Sequence, residues 1–276
     1  MHRLFHRLVI LFLLGSMTLS FGAPAIAGSL RVGSDISYAP LEFYTPHAHQ
    51  MTGFDIDLAK ALGKQLGSDV QISNHTFDDL LHAVATGRFD LAISALSDTR
   101  KREGVVDFID YMLAGSGMLV PAGNPKRVFE LGALCGLRVD VQKGTSQEVA
   151  LKAETKNCVA VHLGPMHLSS FATDDQAFSF FESGKSDVHV TDYPVISYLA
   201  RTMGAGTKYE VAGRQFDVVP YGIAIAKTNV ALRASVQHAL AALISSGTYD
   251  ALLKKWGLNQ GALRSTPLDA GTLFEK

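Results

Sequence analysis

Short apolar stretches with the look of strands alternate with helix-spaced stretches along this chain, and that rhythm, run through twice, restricts its fold more than any other feature. Leu30-Arg31-Val32-Gly33 is a strand candidate. Phe54, Leu58, Ala61, Leu62 and Leu66 then recur at helical spacing, with Asp55 and Asp57 in the first turn, where the helix dipole favours acids. Val70 to Ile72 reads as a strand; Leu80, Leu81 and Val84 mark one face of a second helix, which Gly87 can close. Asp90 to Leu96 is an apolar strand of the kind covered on both faces. A βαβαβ unit of this kind implies a parallel sheet wrapped by helices.

The rhythm restarts after Pro121. Leu137 to Val141 and Val159 to Leu163 read as strands, Asp174 to Ser183 as an amphipathic helix ending at Gly184, and Val188 to Thr191 as a further strand. A second α/β lobe follows. Tyr221 to Ala226 is one more apolar strand, followed by helices over Ala231 to Ser245 and Tyr249 to Trp256 that could close either lobe. Asn259 to Lys276 has no clear periodicity and is expected on the surface.

Ahead of the first strand, Arg3 and Arg7 precede an apolar run from Leu8 to Leu14 that extends weakly to Phe21, and Ala25-Ile26-Ala27 stands before Gly28. This is the pattern of an export signal, residues 1–27, cleaved after Ala27. The run falls short of the roughly 20 residues that span a bilayer, Gly15, Ser16, Thr18 and Ser20 dilute it, and no Cys follows to carry a lipid. What remains is long enough for two lobes at the usual ~100–200 residues per domain.

The 25 basic and 26 acidic residues are mixed throughout, so no footprint for nucleic acid or anionic membrane stands out, and a small neutral or zwitterionic partner fits better. Cys135 and Cys158 each lie just before an expected strand, which would bring both thiols to one sheet end; an oxidising compartment allows a disulfide there. Two buried free thiols are the alternative. No Cys-x-x-Cys or His-x-x-x-His spacing suggests a metal, and the close pair His47 and His49 lies in an expected hairpin loop.

The segments Leu-Arg-Val-Gly-Ser-Asp-Ile-Ser-Tyr-Ala-Pro-Leu-Glu-Phe (30–43), Gly-Phe-Asp-Ile-Asp-Leu-Ala-Lys-Ala-Leu (53–62) and Phe-Asp-Leu-Ala-Ile-Ser-Ala-Leu-Ser-Asp-Thr-Arg-Lys-Arg (89–102) carry a family resemblance. So do Gln-Lys-Gly-Thr-Ser-Gln-Glu (142–148), Asp-Val-His-Val-Thr-Asp (187–192), Tyr-Gly-Ile-Ala-Ile-Ala-Lys (221–227) and Gly-Thr-Tyr-Asp-Ala-Leu-Leu-Lys-Lys-Trp (247–256). In this order they resemble the periplasmic amino-acid-binding proteins of polar amino acid ABC transporters, solute-binding protein family 3. The resemblance implies an α/β fold of two lobes, the type II periplasmic-binding-protein fold, with the ligand cleft between lobes and a two-strand hinge. It puts residues 28–116 and 224–276 in lobe 1 and residues 117–223 in lobe 2, with crossings at 117–121 and 219–224. It also implies a monomer in the periplasm that hands an L-amino acid to an inner-membrane ABC permease, with no cofactor.

An amino acid offers a carboxylate, an ammonium and a side chain, and a cleft must answer each, because charge buried without a partner costs several kcal/mol. A guanidinium meets a carboxylate with two parallel donors, and Arg102 matches the family's carboxylate-binding arginine. Asp192, at a strand end, matches the ammonium-binding acid. Ser97, the backbone of Ala95, and Ser146 would complete these contacts, with Thr145 in a strand-to-helix turn whose N–H groups can meet an anion. Many relatives have Ser or Gly in place of Ala95, and Thr or Gly in place of Ser146. Tyr38 and Phe77 resemble the aromatic pair that brackets the ligand stem, and Asp35, Ser94 and Gln142 occupy positions that read the side chain. Asp35 invites a cationic ligand such as arginine, lysine, ornithine or histidine, but Asp is ordinary at this position across the family, so the resemblance implies a polar amino acid and leaves its identity open.

Two other functions share this fold. Some relatives are periplasmic dehydratases, such as cyclohexadienyl dehydratase, for which Asp35 or Glu148 would have to act as the general acid; a ligand-sensing module docking to a receptor would use the same cleft. No Gly-x-Ser-x-Gly elbow, His-Glu-x-x-His or Walker loop is present, so no catalytic residue is expected.

Overall fold

The computed structural model describes residues 28–274; the export signal expected over residues 1–27 lies outside them. Strand β1 (Leu30–Ser34) is buried at every position but Arg31, as a strand covered on both faces should be. A short hairpin follows, β2 (Phe43–Tyr44) with β3 (Met51–Thr52), whose exposed tip holds His47 and His49. Helix α1 (Phe54–Leu66) buries Phe54, Leu58, Leu62 and Leu66 on one face and ends at Gly67 in the left-handed conformation. Strand β4 (Val70–Asn74), helix α2 (Leu80–Ala85) and strand β5 (Leu91–Ala92) complete the first unit, and β1 pairs in parallel with β4 and β5. Of the strand expected over 90–96 only Leu91 and Ala92 join the ladder; the chain bends beyond them, with φ +45° at Ala95.

One helical turn, α3 (Arg100–Glu103), is capped by the Thr99 hydroxyl and leads into strand β6 (Val106–Pro121). The second unit comprises β7 (Arg138–Gln142), α4 (Ser146–Ala160), β8 (His167–Phe171), α5 (Asp174–Glu182) and β9 (Val188–Asp192), with β7 parallel to both β8 and β9. Helix α6 (Tyr193–Thr202) precedes strand β10 (Tyr209–Ala226), and helices α7 (Val230–Ser245) and α8 (Thr248–Trp256) follow.

All strands but the hairpin form one sheet in the order β4-β1-β5-β10-β6-β9-β7-β8. The antiparallel pair β6 and β10 carries the chain from the first half to the second and back, and its register slips between Ala212 and Phe216, Phe216 and Val219, and Tyr221 and Gly222. Such irregularities bend a strand pair where a flat ladder would resist. Separate cores flank the crossing. Phe54, Leu58 and Leu62 pack with Val236, Leu240 and Leu253, which assigns the closing helices to the first half; Met118, Val139, Val141, Leu151 and Val188 fill the second. Within the second core His189 lies fully buried, 2.6 Å from Asp140 and 3.7 Å from Asp174. Burial pulls its pKa down, but the two carboxylates win and hold it at about 10.

Two expectations need correction. Val159 to Leu163 is not a strand: α4 runs to Ala160, and Val159, Val161 and Leu163 are all exposed. Their every-other spacing imitates a strand, whereas the true one, β8, starts at His167. Cys158 therefore sits on a helix rather than at a strand end, yet it is bonded to Cys135 with Cα atoms 5.5 Å apart. The stretch from Asn259 to Phe274 lies on the surface as expected, exposed or half-buried at every position but Ala270 and Gly271, yet it is firmly bonded to β6. Pro267 accepts the Asp110 N–H at 3.0 Å, and Asp269 both accepts the Phe108 N–H through its carboxylate at 2.7 Å and returns its own N–H to the Phe108 carbonyl at 3.1 Å.

Candidate functional site

The segments that leave the C-terminal ends of β1, β5, β7 and β9 meet in one cleft, the place where open α/β sheets bind ligands. The halves lie close together here, leaving a cavity of only about 10 Å³ for water-sized molecules between them. Asp35, Tyr38, Phe77, Ser97 and Arg102 reach it from the first half, and Gln142, Thr145, Ser146 and Asp192 from the second.

Asp192 ends β9 and opens α6. Its Oδ2 accepts the Tyr38 hydroxyl at 2.7 Å, its Oδ1 accepts the Gln147 Nε2 at 2.5 Å, and its own N–H donates to the Tyr38 oxygen at 3.1 Å. Burial pushes its pKa up to about 6, against the Tyr38 hydrogen bond and the Arg102 charge. It is thus mostly ionised at neutral pH and within reach of a cation in the cleft.

Arg102 approaches from α3. Its Nη1 donates to the Ser97 carbonyl at 2.9 Å, its Nη2 to the Gly144 carbonyl at 3.2 Å, and its guanidinium lies 5.3 Å from the centre of the Phe77 ring. Burial lowers its pKa to about 10, with Asp192 and Asp98 opposing, so it stays cationic at neutral pH. The hydroxyls of Ser97 and Ser146 face each other at 3.4 Å. Thr145 caps α4, accepting from the Glu148 N–H at 3.1 Å and donating to the Gln142 carbonyl at 2.8 Å. Gly144, at φ +81°, lets the halves approach: a Cβ there would meet the Asp78 Cβ at 2.7 Å.

The other end of the cleft is acidic. Asp35 accepts the Gln142 Nε2 at 2.6 Å across the halves and the Ser37 hydroxyl at 3.1 Å, and burial pushes its pKa up to about 6. Glu42, which the sequence reading passed over, also lines the cleft. Burial, then the neighbouring Asp55 charge, pushes its pKa well above the carboxylate range, so it holds its proton. Gln147 is the other lining residue that the reading missed. Both had a signal: Glu42 is an acid inside an apolar stretch, and Gln147 is a polar residue in the first turn of a helix that starts at the cleft.

Ser94 and Ala95, expected at the ligand, do not reach the lining. The Ser94 hydroxyl accepts the Asp35 N–H at 3.0 Å and donates to Glu42 Oε1 at 2.8 Å, so it props the acidic end from beneath. The Ala95 N–H is taken by Asp55 at 2.8 Å inside the core. The lining holds no histidine, cysteine or lysine, which leaves carboxyl groups, Tyr38 and Arg102 as its titratable groups. Among the described residues no helix is long and apolar enough to cross a membrane.

Known proteins are similar to this chain in sequence and in fold. The arginine-binding protein 1 of an ABC transporter in Escherichia coli (strain K12) is 29% identical over 253 residues, which cover 91% of this chain and 98% of that protein. Among solved structures, an ancestral arginine-binding protein bound to arginine superposes with a TM-score of 0.76 at 34% identity, covering 83% of this chain and 98% of the other. An ancestral amino acid-binding protein described as a precursor of cyclohexadienyl dehydratase gives a TM-score of 0.74 at 36% identity, covering 83% and 95%. The two-lobed fold of these binding proteins is the fold described above, with the cleft between the lobes and β6 and β10 as the two crossings. The profile of the bacterial extracellular solute-binding proteins, family 3, matches residues 30–259, and the chain belongs to that family.

Proposed function

We propose that the protein captures an L-amino acid with a cationic side chain in this cleft and delivers it to an ABC importer. The observation that carries the reading is the opposition of Arg102 and Asp192 in one cleft, with the Asp35 carboxylate at its other end. Arg102 takes the ligand carboxylate with Ser97, Thr145 and Ser146; Asp192 takes the ammonium, and Gln147 holds Asp192 in place. Tyr38 and Phe77 bracket the aliphatic stem, and Asp35 and Gln142 read its end. Relatives named for arginine binding support a cationic side chain.

Lobe 1 comprises residues 28–116 and 224–276, lobe 2 residues 117–223. The protein works as a monomer in the periplasm after cleavage at Ala27, and an inner-membrane permease receives the ligand. It binds without transforming. Calorimetric titration with L-arginine, L-lysine, L-ornithine and L-histidine tests this reading; absence of binding by all four would overturn the cationic assignment.

A second reading has one observation in its favour. Glu42 keeps its proton in the cleft, as a general acid must, and a similar structure is that of a dehydratase precursor. Steady conversion of prephenate to a dehydrated product would favour the enzyme over the binding protein.

A further inference from the structure

The family match stops at residue 259, and the chain continues to Lys276. The continuation is bonded to the first half along β6, with bridges from Ala262 to Met112 and from Leu268 to Ile109. It then passes beneath the loop that carries Arg102. There the Asp98 carboxylate accepts the Gly271 N–H at 2.8 Å, and the Glu103 carboxylate accepts the Thr272 N–H at 3.2 Å.

The placement of these two acids is informative. Asp98 directly follows Ser97 and Glu103 directly follows Arg102, so each cleft residue adjoins an acid whose side chain grips the C-terminal segment. Asp98 and Gly271 are buried against each other, and a Cβ on Gly271 would meet the Asp98 carbonyl oxygen at 2.3 Å. The Asp98 N–H is in turn bonded to the Pro220 carbonyl in β10 at 2.8 Å. Among the described residues the guanidinium of Arg102 donates to two backbone carbonyls, that of Ser97 in its own loop and that of Gly144 in the other half. Ser97 holds the guanidinium from within its own loop, while Gly144 and the Phe77 ring hold it from outside; the loop backbone that supplies the Ser97 contact is clamped between β10 and the C-terminal segment.

We propose that residues 262–274 form a positioning strap for the Ser97–Arg102 loop, acting on the ligand carboxylate without touching it. This rests on the reading of Arg102 as the carboxylate contact. Asp98 and Glu103 are positioning residues through which the strap acts.

The test compares calorimetric affinities for L-arginine and for L-argininamide, which lacks the carboxylate. Gly271→Val and Glu103→Ala, each confirmed folded by its melting curve, should lose about tenfold for L-arginine, short of the full loss of a charge partner, and less than about twofold for the amide. Glu103→Gln keeps an oxygen for the Thr272 N–H and should bind as the wild type does. An equal loss for both ligands, or no loss for either in a folded Glu103→Ala protein, overturns the strap. Arg102→Ala runs in parallel. Unchanged L-arginine affinity in Arg102→Ala, or no L-arginine binding by the wild type, overturns the functional reading and the strap with it; loss in Arg102→Ala beside intact strap variants overturns the strap alone.

Discussion

The Tyr38 hydroxyl spans the cleft to the Asp192 carboxylate at 2.7 Å and also meets the Thr191 hydroxyl at 2.7 Å. One side chain of the first half thus holds the very acid of the second half that the ligand ammonium would claim. A hydrogen bond to a charged group is worth about 1.5–3 kcal/mol, and this one exists only while the halves are together. Tyr38→Phe keeps the ring and deletes the bond, so the ligand-free variant should have a larger radius of gyration in solution scattering than the wild type. Equal radii would mean that the bond does not hold the halves.

Removing the guanidinium should abolish capture. Arg102→Ala is expected to cost about 2–5 kcal/mol of binding, roughly thirty-fold to several thousand-fold in affinity, with the melting temperature little changed. Calorimetry with the wild-type ligand checks it.

Stability should fall as pH rises. Burial, with the Glu103 charge beside it, pushes Asp98 up to about 7, and burial, with the Asp98 charge beside it, pushes Asp110 up to about 8, both from the ordinary 3.8. From about pH 4 to pH 8 the folded state therefore holds protons that the unfolded chain has shed, and the stabilisation they represent is lost over that window. Asp35, Asp55 and Asp192, each near 6, act with the same sign but are spent earlier, while His189 near 10 continues it. Asp110→Asn should flatten the decline of the urea midpoint between about pH 6.5 and 8.5. A decline as steep as that of the wild type would clear the Asp98 and Asp110 pair of responsibility.

The Cys135 to Cys158 bridge closes a loop with a sequence separation of 23 residues. A bridge of that span stabilises by about 2–4 kcal/mol, chiefly by restricting the unfolded chain. Reduction should lower the urea midpoint, and peptide mass spectrometry of unreduced, exported protein should show the two joined. Two alkylatable thiols would refute the bridge.

Much of the first half was legible because its apolar spacing is also its burial pattern: Phe54, Leu58, Leu62 and Leu66 are buried as their period requires. Where exposure and hydrophobicity part company the reading failed. Val159, Val161 and Leu163 point to solvent, so their alternation carried no structural meaning. Arg102 and Asp192 were found through motif position, and both line the cleft. Ser94 and Ala95 stand in the same motifs but lie behind the lining, because adjacency in sequence does not say whether a group faces the cleft or the layer beneath it. The Asn259 to Lys276 stretch was opaque for another reason. Its attachment runs largely through backbone groups of Pro267, Asp269, Gly271 and Thr272, and backbone bonds leave no periodic trace in side chains.

The sheet order has a consequence for how the chain is made. Strand β10, formed by residues 209–226, is inserted between β5 and β6, which the ribosome completes a hundred residues or so earlier. Neither half can finish folding until most of the chain has emerged, since long-range strand pairing waits for its latest partner. Until then β5 and β6 each keep an unpaired edge open to chaperones or to aggregation. A nascent chain cut short before Tyr209 should be held unfolded rather than accumulate as a stable fragment.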